Sequence, residues 1–325
     1  MNIVTPREKE VPAIDPPAKD PPAWQLAEIV HALRQSREVS NKIRYRGHVR
    51  ELPSRAALRD ILDGLAAALF PTHYGDHILT DESIDFFVGS TLGNALSSLN
   101  EQVRRGLRFN KEDAGRDADE LAARAAAITR RFAGDLPRIR AKLVSDLHAA
   151  YQGDPAASSI SEILLCYPGI SAIIHYRLAH ALHQLGVPLI ARLISGIAHS
   201  ETGIDIHPGA EIGPGFFIDH GTGVVIGETA VLGENVRLYQ AVTLGAKKFE
   251  TGEDGSLVKG TARHPIIEDN VVIYAGATIL GRVTIGRGAV IGGNVWLTED
   301  VAPGSVVTQA RMRQTRSDEA AIVRG

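Results

Sequence analysis

Two acid–histidine pairs interrupt a run of glycines and aliphatic residues between positions 203 and 227: Asp205 and His207, then Asp219 and His220. A histidine oriented by a carboxylate is the pair that general-base chemistry uses. The acid fixes the tautomer through one ring nitrogen and raises the basicity of the other. Asp205 lies fifteen residues before His220, close to one coil of the repeat described below, so the two can sit on neighbouring turns of one edge. By spacing alone, His207 competes with His220 for the role. The bland reading of each is a satisfied structural histidine. A catalytic metal is not expected, because His207, His220 and His264 contain no close pair and His175 and His180 fall in a helical part.

The element that must position these groups is a repeat of six residues. One aliphatic slot runs through Ile206, Ile212, Ile218, Val224, Ala230, Val236 and Val242. A second, two residues later, holds Ile226, Leu232, Leu238 and Leu244. After a gap both return, the first as Val271, Ala277, Val283, Ala289, Val295, Val301 and Val307, the second as Ile273, Ile279, Ile285, Ile291 and Leu297. Repeats of this length mean a solenoid, in which each hexad supplies a short strand and a turn. Three hexads close a triangular coil of about eighteen residues, and stacked coils bury the aliphatic slots. His220 falls in the second slot, where an imidazole is costly unless it is hydrogen-bonded or displaced towards a cleft. Between Val242 and Val271 the register breaks, and the polar segment 246–264 is expected to leave the prism as a loop. Long loops in compact domains are often functional.

Upstream, the pattern is helical from about 25 to 200. Leu58, Ile61, Leu62, Leu65 and Leu69 form one stripe. Ile84, Val88, Leu92, Leu96, Leu99 and Val103 form another, with Thr80 as the expected N-cap ahead of Asp81 and Glu82. Leu121, Ala125, Ile128 and Phe132 predict a charged helix, and Leu136–Tyr151 a further one. These stripes are expected to pack as a bundle or oligomer face. Residues 1–24 hold six of the sixteen prolines and read as a disordered tail, and 309–325 as a C-terminal tail. A net charge of -3 offers no basic surface for nucleic acid or anionic membrane. The single cysteine, Cys166, excludes an intramolecular disulfide, and the N-terminus has no apolar signal core, so a cytoplasmic protein is expected.

Five segments occur in a telling order: DIHPGAEIG (205–213), IDHGTGVVIGETA (218–230), VTLGAKK (242–248), ARHPIIEDNVVI (262–273) and AGATILG (275–281). With GDPAASS (153–159) and YRLAHAL (176–182) before them, they resemble the serine O-acetyltransferase family of hexapeptide-repeat acyltransferases over roughly residues 145–307. The resemblance implies an α+β fold, in which an N-terminal α-helical domain (25–200) precedes a left-handed parallel β-helix (201–308) with one protruding loop. It implies acetyl transfer from acetyl-CoA to the hydroxyl of L-serine, with no permanently bound cofactor. By motif position, His220 is the base, oriented by Asp205. Asp154 and Asp219 hold the amino acid, Arg263 and His264 close the site, and Glu228 of the GET run joins the substrate-binding set. Gly245, Ala246, Ala275, Gly276 and Gly293 would let a pantetheine arm run against backbone, and Lys247, Lys248 and Lys259 are candidate partners for CoA phosphates. Each of those glycines is also explained as a coil corner, and each lysine as a solvated loop residue.

The site is expected between neighbouring prisms of a homotrimer, with the helices joining two trimers into a hexamer. Cysteine, a near-isostere of serine, is the expected feedback inhibitor. Members that dock with O-acetylserine sulfhydrylase end in isoleucine, and the ending SDEAAIVRG does not fit such docking. Two other functions compete: a hexapeptide-repeat acetyltransferase for a sugar or xenobiotic hydroxyl, and a non-enzymatic trimerising scaffold.

Overall fold

A computed structural model describes residues 24–39, 51–75, 79–113, 115–248, 252, 255–258 and 260–309. The expected tails therefore lie almost wholly outside the described residues, as does Lys259. Two compact units divide at Glu51 and Leu52. The first contains helix α1 (Leu26–Val39), which exposes Leu26, Ile29, Val30 and Leu33.

The second unit begins with helices. In α2 (Arg55–Leu69) the hydroxyl of Ser54 accepts from Ala57 N–H, and the expected stripe of Leu58, Ile61, Leu62, Leu65 and Leu69 is buried. A short α3 (Pro71–Tyr74) leads to α4 (Ile84–Leu107). Thr80 is not its cap. The Thr80 carbonyl instead accepts from Ser83 and Ile84 N–H in a separate turn, and the helix proper starts at Ile84.

The two helices expected over 121–151 are one, α5 (Ala118–Gly153), 36 residues long with Pro137 inside it. Leu121, Ala125, Ile128 and Phe132 continue without a break into Leu136, Ile139, Leu143, Leu147 and Ala150, all buried. One uninterrupted apolar face outweighs the roughly 3 kcal/mol that an interior proline costs. Helices α6 (Ile160–Cys166), α7 (Pro168–Gln184) and α8 (Pro188–Thr202) follow, and Gly203 ends α8 in a left-handed conformation at φ 71°.

From Asp205 to Val307 the described residues wind through fourteen short parallel strands in three sheets. The first face stacks β1 (Asp205–Ile206), β4 (Val225–Ile226), β7 (Thr243–Gly245), β10 (Thr278–Leu280) and β13 (Trp296–Leu297). The second stacks β2 (Glu211–Ile212), β5 (Val231–Leu232), β8 (Ile266–Ile267) and β11 (Thr284–Ile285). The third stacks β3 (Phe217–Ile218), β6 (Arg237–Leu238), β9 (Val272–Ile273), β12 (Val290–Ile291) and β14 (Val306–Val307).

The register corrects one reading of the sequence. Ile206, Ile212 and Ile218 pair with Ile226, Leu232 and Leu238, so they belong to the second slot. In the first coil the other slot holds Ile204, Ala210 and Phe216, all buried. The cause is a corner two residues longer than its neighbours. Asp205 pairs with Val225, twenty residues on, whereas Val225 pairs with Thr243, eighteen on. The extra length lies in Asp219–Gly223, which lifts His220 out of the aliphatic column. The imidazole therefore incurs no burial cost.

Further along, Thr243 pairs with Thr278 across the inserted loop, so the sheets close beneath it. At the corner from second to third face, Gly215, Asn235, Asn270, Gly288 and Gly304 all adopt left-handed backbone, the geometry glycine and asparagine tolerate best.

Neighbouring coils exchange N–H bonds in both directions, as in Asp205 N–H to the Val224 carbonyl and Asn235 N–H to that of Pro214. The first-coil carbonyls that point away from the second coil face the helices and need donors. Ser195 serves Ile206, His180 serves Pro208, Tyr176 serves Ala210, and Arg177 serves Ile212 and Gly213. Arg177 is itself buried against Asp146, at 2.8 and 2.9 Å, and Asp146 also accepts from Phe216 N–H at 2.8 Å. This pair fastens α5 and α7 to the prism.

Candidate active site

The long corner between third and first faces carries the first group of candidate residues. His220 sits there with φ 57°, and its side chain is 70% exposed. A non-glycine residue in that conformation holds a locally strained backbone. Gly221 and Gly223, both at positive φ, let the extra residues fold back onto the prism. His220 Nδ1 lies 3.6 Å from Asp219 Oδ1.

Asp154, at the C-terminal end of α5, accepts from Ala156 N–H at 2.8 Å and from the Tyr167 hydroxyl at 2.5 Å. The Tyr167 bond holds the Asp154 carboxyl below its usual range, helped by the nearby charges of His220 and Arg237. The same bond pushes the Tyr167 phenol up to about 12. Asp154, Tyr167, Asp219, His220 and Arg237 thus share one electrostatic neighbourhood.

A second group occupies the corner between first and second faces. Arg263 donates to Glu228 at 2.7 Å. Burial alone would raise the Glu228 carboxyl, but the Arg263 bond brings it below its ordinary value. His264 is buried, and its Nδ1 accepts from Thr229 N–H at 3.0 Å, which leaves the proton of the neutral ring on Nε2. The Thr229 hydroxyl accepts from the N–H groups of both Arg263 and His264. Gly227 makes room for the imidazole: a Cβ there would lie 2.0 Å from His264 Cδ2. His207 Nδ1 accepts from Gly209 N–H at 2.9 Å. Burial, with the charge of Arg192, pushes the His207 ring down to about 4, and burial with Arg263 does the same for His264.

Asp205 projects from β1 on the first face, within electrostatic reach of His207. It forms no hydrogen bond with His220, so the expected Asp205–His220 couple is not assembled within one chain. The reason is the long corner: it swings His220 outward while Asp205 stays on the strand. Of the residues expected to line the pantetheine path, Ala275, Gly276 and Gly293 stack at the third-to-first corner in the coils after His220. Gly276 N–H donates to the Gln240 carbonyl, and Asn294 N–H to that of Ala275. Gly245 and Ala246 lie across the first face, where β7 gives way to the loop. Lys247 and Lys248 are exposed.

Sequence reasoning passed over Tyr167, Thr229 and Arg237. Tyr167 follows the DPA motif by a dozen residues and Thr229 stands inside the GET run, but neither residue type announces its partner.

A parallel β-helix of hexads with an exposed base-type histidine at an enlarged corner defines a hexapeptide-repeat acyltransferase. The family model for the bacterial transferase hexapeptide (six repeats) matches residues 264–299. A plasmid-encoded serine acetyltransferase of Synechococcus elongatus is 56% identical over 90% of this chain and 92% of its own length. Entamoeba histolytica serine acetyltransferase 1, solved in complex with L-cysteine, is 36% identical with a TM-score of 0.67, over 87% of this chain and 97% of that one. The serine acetyltransferase of Neisseria gonorrhoeae, solved in complex with serine, is 31% identical with a TM-score of 0.51, over 79% and 97%. The chain belongs to the serine acetyltransferase family, and its fold is the left-handed β-helix of hexapeptide repeats.

Proposed function

We propose that this chain transfers the acetyl group of acetyl-CoA to the hydroxyl of L-serine at the corner that carries His220. The observation that carries the assignment is the lengthened turn, which delivers His220 out of the prism, next to Asp219 and within electrostatic reach of Asp154. In this reading His220 takes the serine hydroxyl proton as the oxygen attacks the thioester carbonyl. The tetrahedral intermediate then expels the CoA thiolate, which receives that proton from His220. Serine's hydroxyl is far too weak an acid to ionise unaided, so a positioned base is needed. Asp154 and Asp219 supply charge for the serine ammonium, and Arg263 a fork for its carboxylate. His264, with Nε2–H available, suits the oxygen that becomes negative.

The two groups of residues stand on opposite edges of the first face of one prism. A second copy, packed about a threefold axis, would set the Arg263 and His264 corner of one prism against the His220 corner of its neighbour. That separation supports a homotrimer with composite sites, alone or doubled into a hexamer. Cysteine offers the same ammonium and carboxylate as serine, and we propose it as an inhibitor of this site.

Thiol release from acetyl-CoA, followed with a thiol reagent with and without L-serine, tests the activity. Serine-dependent release is expected. Release with a sugar acceptor but none with serine would overturn the assignment.

A further inference from the structure

We propose that Tyr167 is a positioning residue for the acceptor amino acid: its hydroxyl clamps the Asp154 carboxylate in the orientation that meets the substrate ammonium. The inference rests on the reading of Asp154 as an ammonium partner.

Asp154 stands where α5 has ended, and a carboxylate at a helix end has rotamer freedom to lose. Two donors remove it. Ala156 N–H holds Oδ1 at 2.8 Å, and Tyr167 O–H holds Oδ2 at 2.5 Å. Each oxygen keeps a lone pair for a ligand. Tyr167 is a rigid anchor. Its N–H bonds the Ile163 carbonyl at the end of α6, and its own carbonyl accepts from Ile170 and Ser171 N–H at the start of α7. Pro168 follows it, and Gly169 packs so tightly on β3 that an added Cβ would lie 2.2 Å from the Ile218 carbonyl oxygen. The clamp is therefore referenced to the strand that leads directly into Asp219 and His220.

The charges facing Asp154 are His220 and Arg237 on the attractive side and Glu162 on the repulsive side, with Asp219 facing Tyr167. Glu162 is occupied by the hydroxyl and N–H of Ser158. Without the phenol, Asp154 would keep one anchor and turn towards Arg237, whose guanidinium lies over the Phe217 ring.

Tyr167→Phe removes the donor and little else, since the residue is only partly buried. The expected result is a KM for serine raised about ten- to a hundredfold, the effect of losing a hydrogen bond to a charged group. The KM for acetyl-CoA should be unchanged. The acid limb of kcat/KM for serine should move to higher pH, because Asp154 loses the bond that lowers it most. In an Asp154→Asn background, Tyr167→Phe should have no further effect on serine KM. Ala156→Pro, which removes the other anchor at an exposed position, should raise serine KM in the same selective way. It serves as the independent variant should Tyr167→Phe not fold. Unchanged serine KM in a folded Tyr167→Phe, or equal changes in both KM values, would overturn the clamp. A wild-type protein that releases no thiol with serine would instead overturn the functional assignment beneath it.

Discussion

Gly227→Ala tests whether His264 is held by shape. Gly227 has no need of left-handed backbone, so the substitution acts through its methyl group alone. That methyl would lie 2.0 Å from His264 Cδ2 and 2.1 Å from Nε2. Carbons in contact sit about 3.5 Å apart, so the ring must retreat by about 1.5 Å. The 3.0 Å bond from Thr229 N–H to Nδ1 does not survive such a move. A buried group left without its partner costs about 1–3 kcal/mol. For a domain of this size, that lowers the melting temperature by about 2–4 °C per kcal/mol. The effect on turnover is larger, because a misplacement of about 1 Å at a reacting centre costs about a hundredfold. Serine-dependent thiol release should therefore drop by about a hundredfold in kcat/KM, with modest loss of melting temperature. Gly196→Ala, in helix α8 with only Arg55 within 4 Å, is the control and should be neutral. Wild-type turnover in Gly227→Ala would refute the claim that His264 is positioned by packing against that glycine.

Three further predictions follow from the same geometry. His220→Ala should melt like wild type, since the side chain is 70% exposed, and lose about 10²–10⁴-fold in kcat by thiol release. Asp146→Ala leaves the Arg177 guanidinium buried without its carboxylate and should destabilise by about 3–5 kcal/mol, read by denaturant melts. Stability should fall on acidification through His264, whose ring drops from an ordinary 6.5 to about 4. A lowered histidine favours the folded state fully above pH 6.5 and loses that contribution as pH falls from 6.5 to about 4. The loss amounts to about 3 kcal/mol. His264→Gln should flatten the slope of melts between pH 7 and 4.5.

The solenoid was legible because two aliphatic residues per hexad leave a periodic signature that survives any corner length of six. It misled where the corner was longer. Val224 continues the six-residue count from Ile218, yet Ile226 is the true partner of Ile206, because Asp219–Gly223 adds two residues without disturbing the glycine-rich texture. The misplacement of His220 in an aliphatic slot followed from that slip. The expectation of two helices over 121–151 failed because Phe132 and Leu136 pack on one face and keep α5 whole past Pro137. Asp154, Arg263 and His264 were found through motifs. Glu228, the partner of Arg263, came with the GET run, but Tyr167 and Thr229 act through contacts that only the folded chain creates. Asp205 and His220 illustrate the limit most clearly. Their separation along the chain fits one coil, but their directions are set by a strand and a strained turn.

The helix-capped first coil makes the two ends of the prism unlike. Its outward carbonyls are taken by Ser195, Tyr176, Arg177 and His180, while among the described residues no strand lies beyond β13 and β14. A stack whose members touch only their neighbours behaves like a zipper, and this one has its stop at the end nearest His220. Loosening at the far end frays one coil at a time and leaves the lengthened corner in place. Loosening at the stop removes the partner of the first coil, and with it the reference frame of the proposed base. The chemistry is thus lodged at the end of the zipper that opens last, and coils can be gained or lost at the other end as a means of adjusting length without re-cutting the teeth that matter.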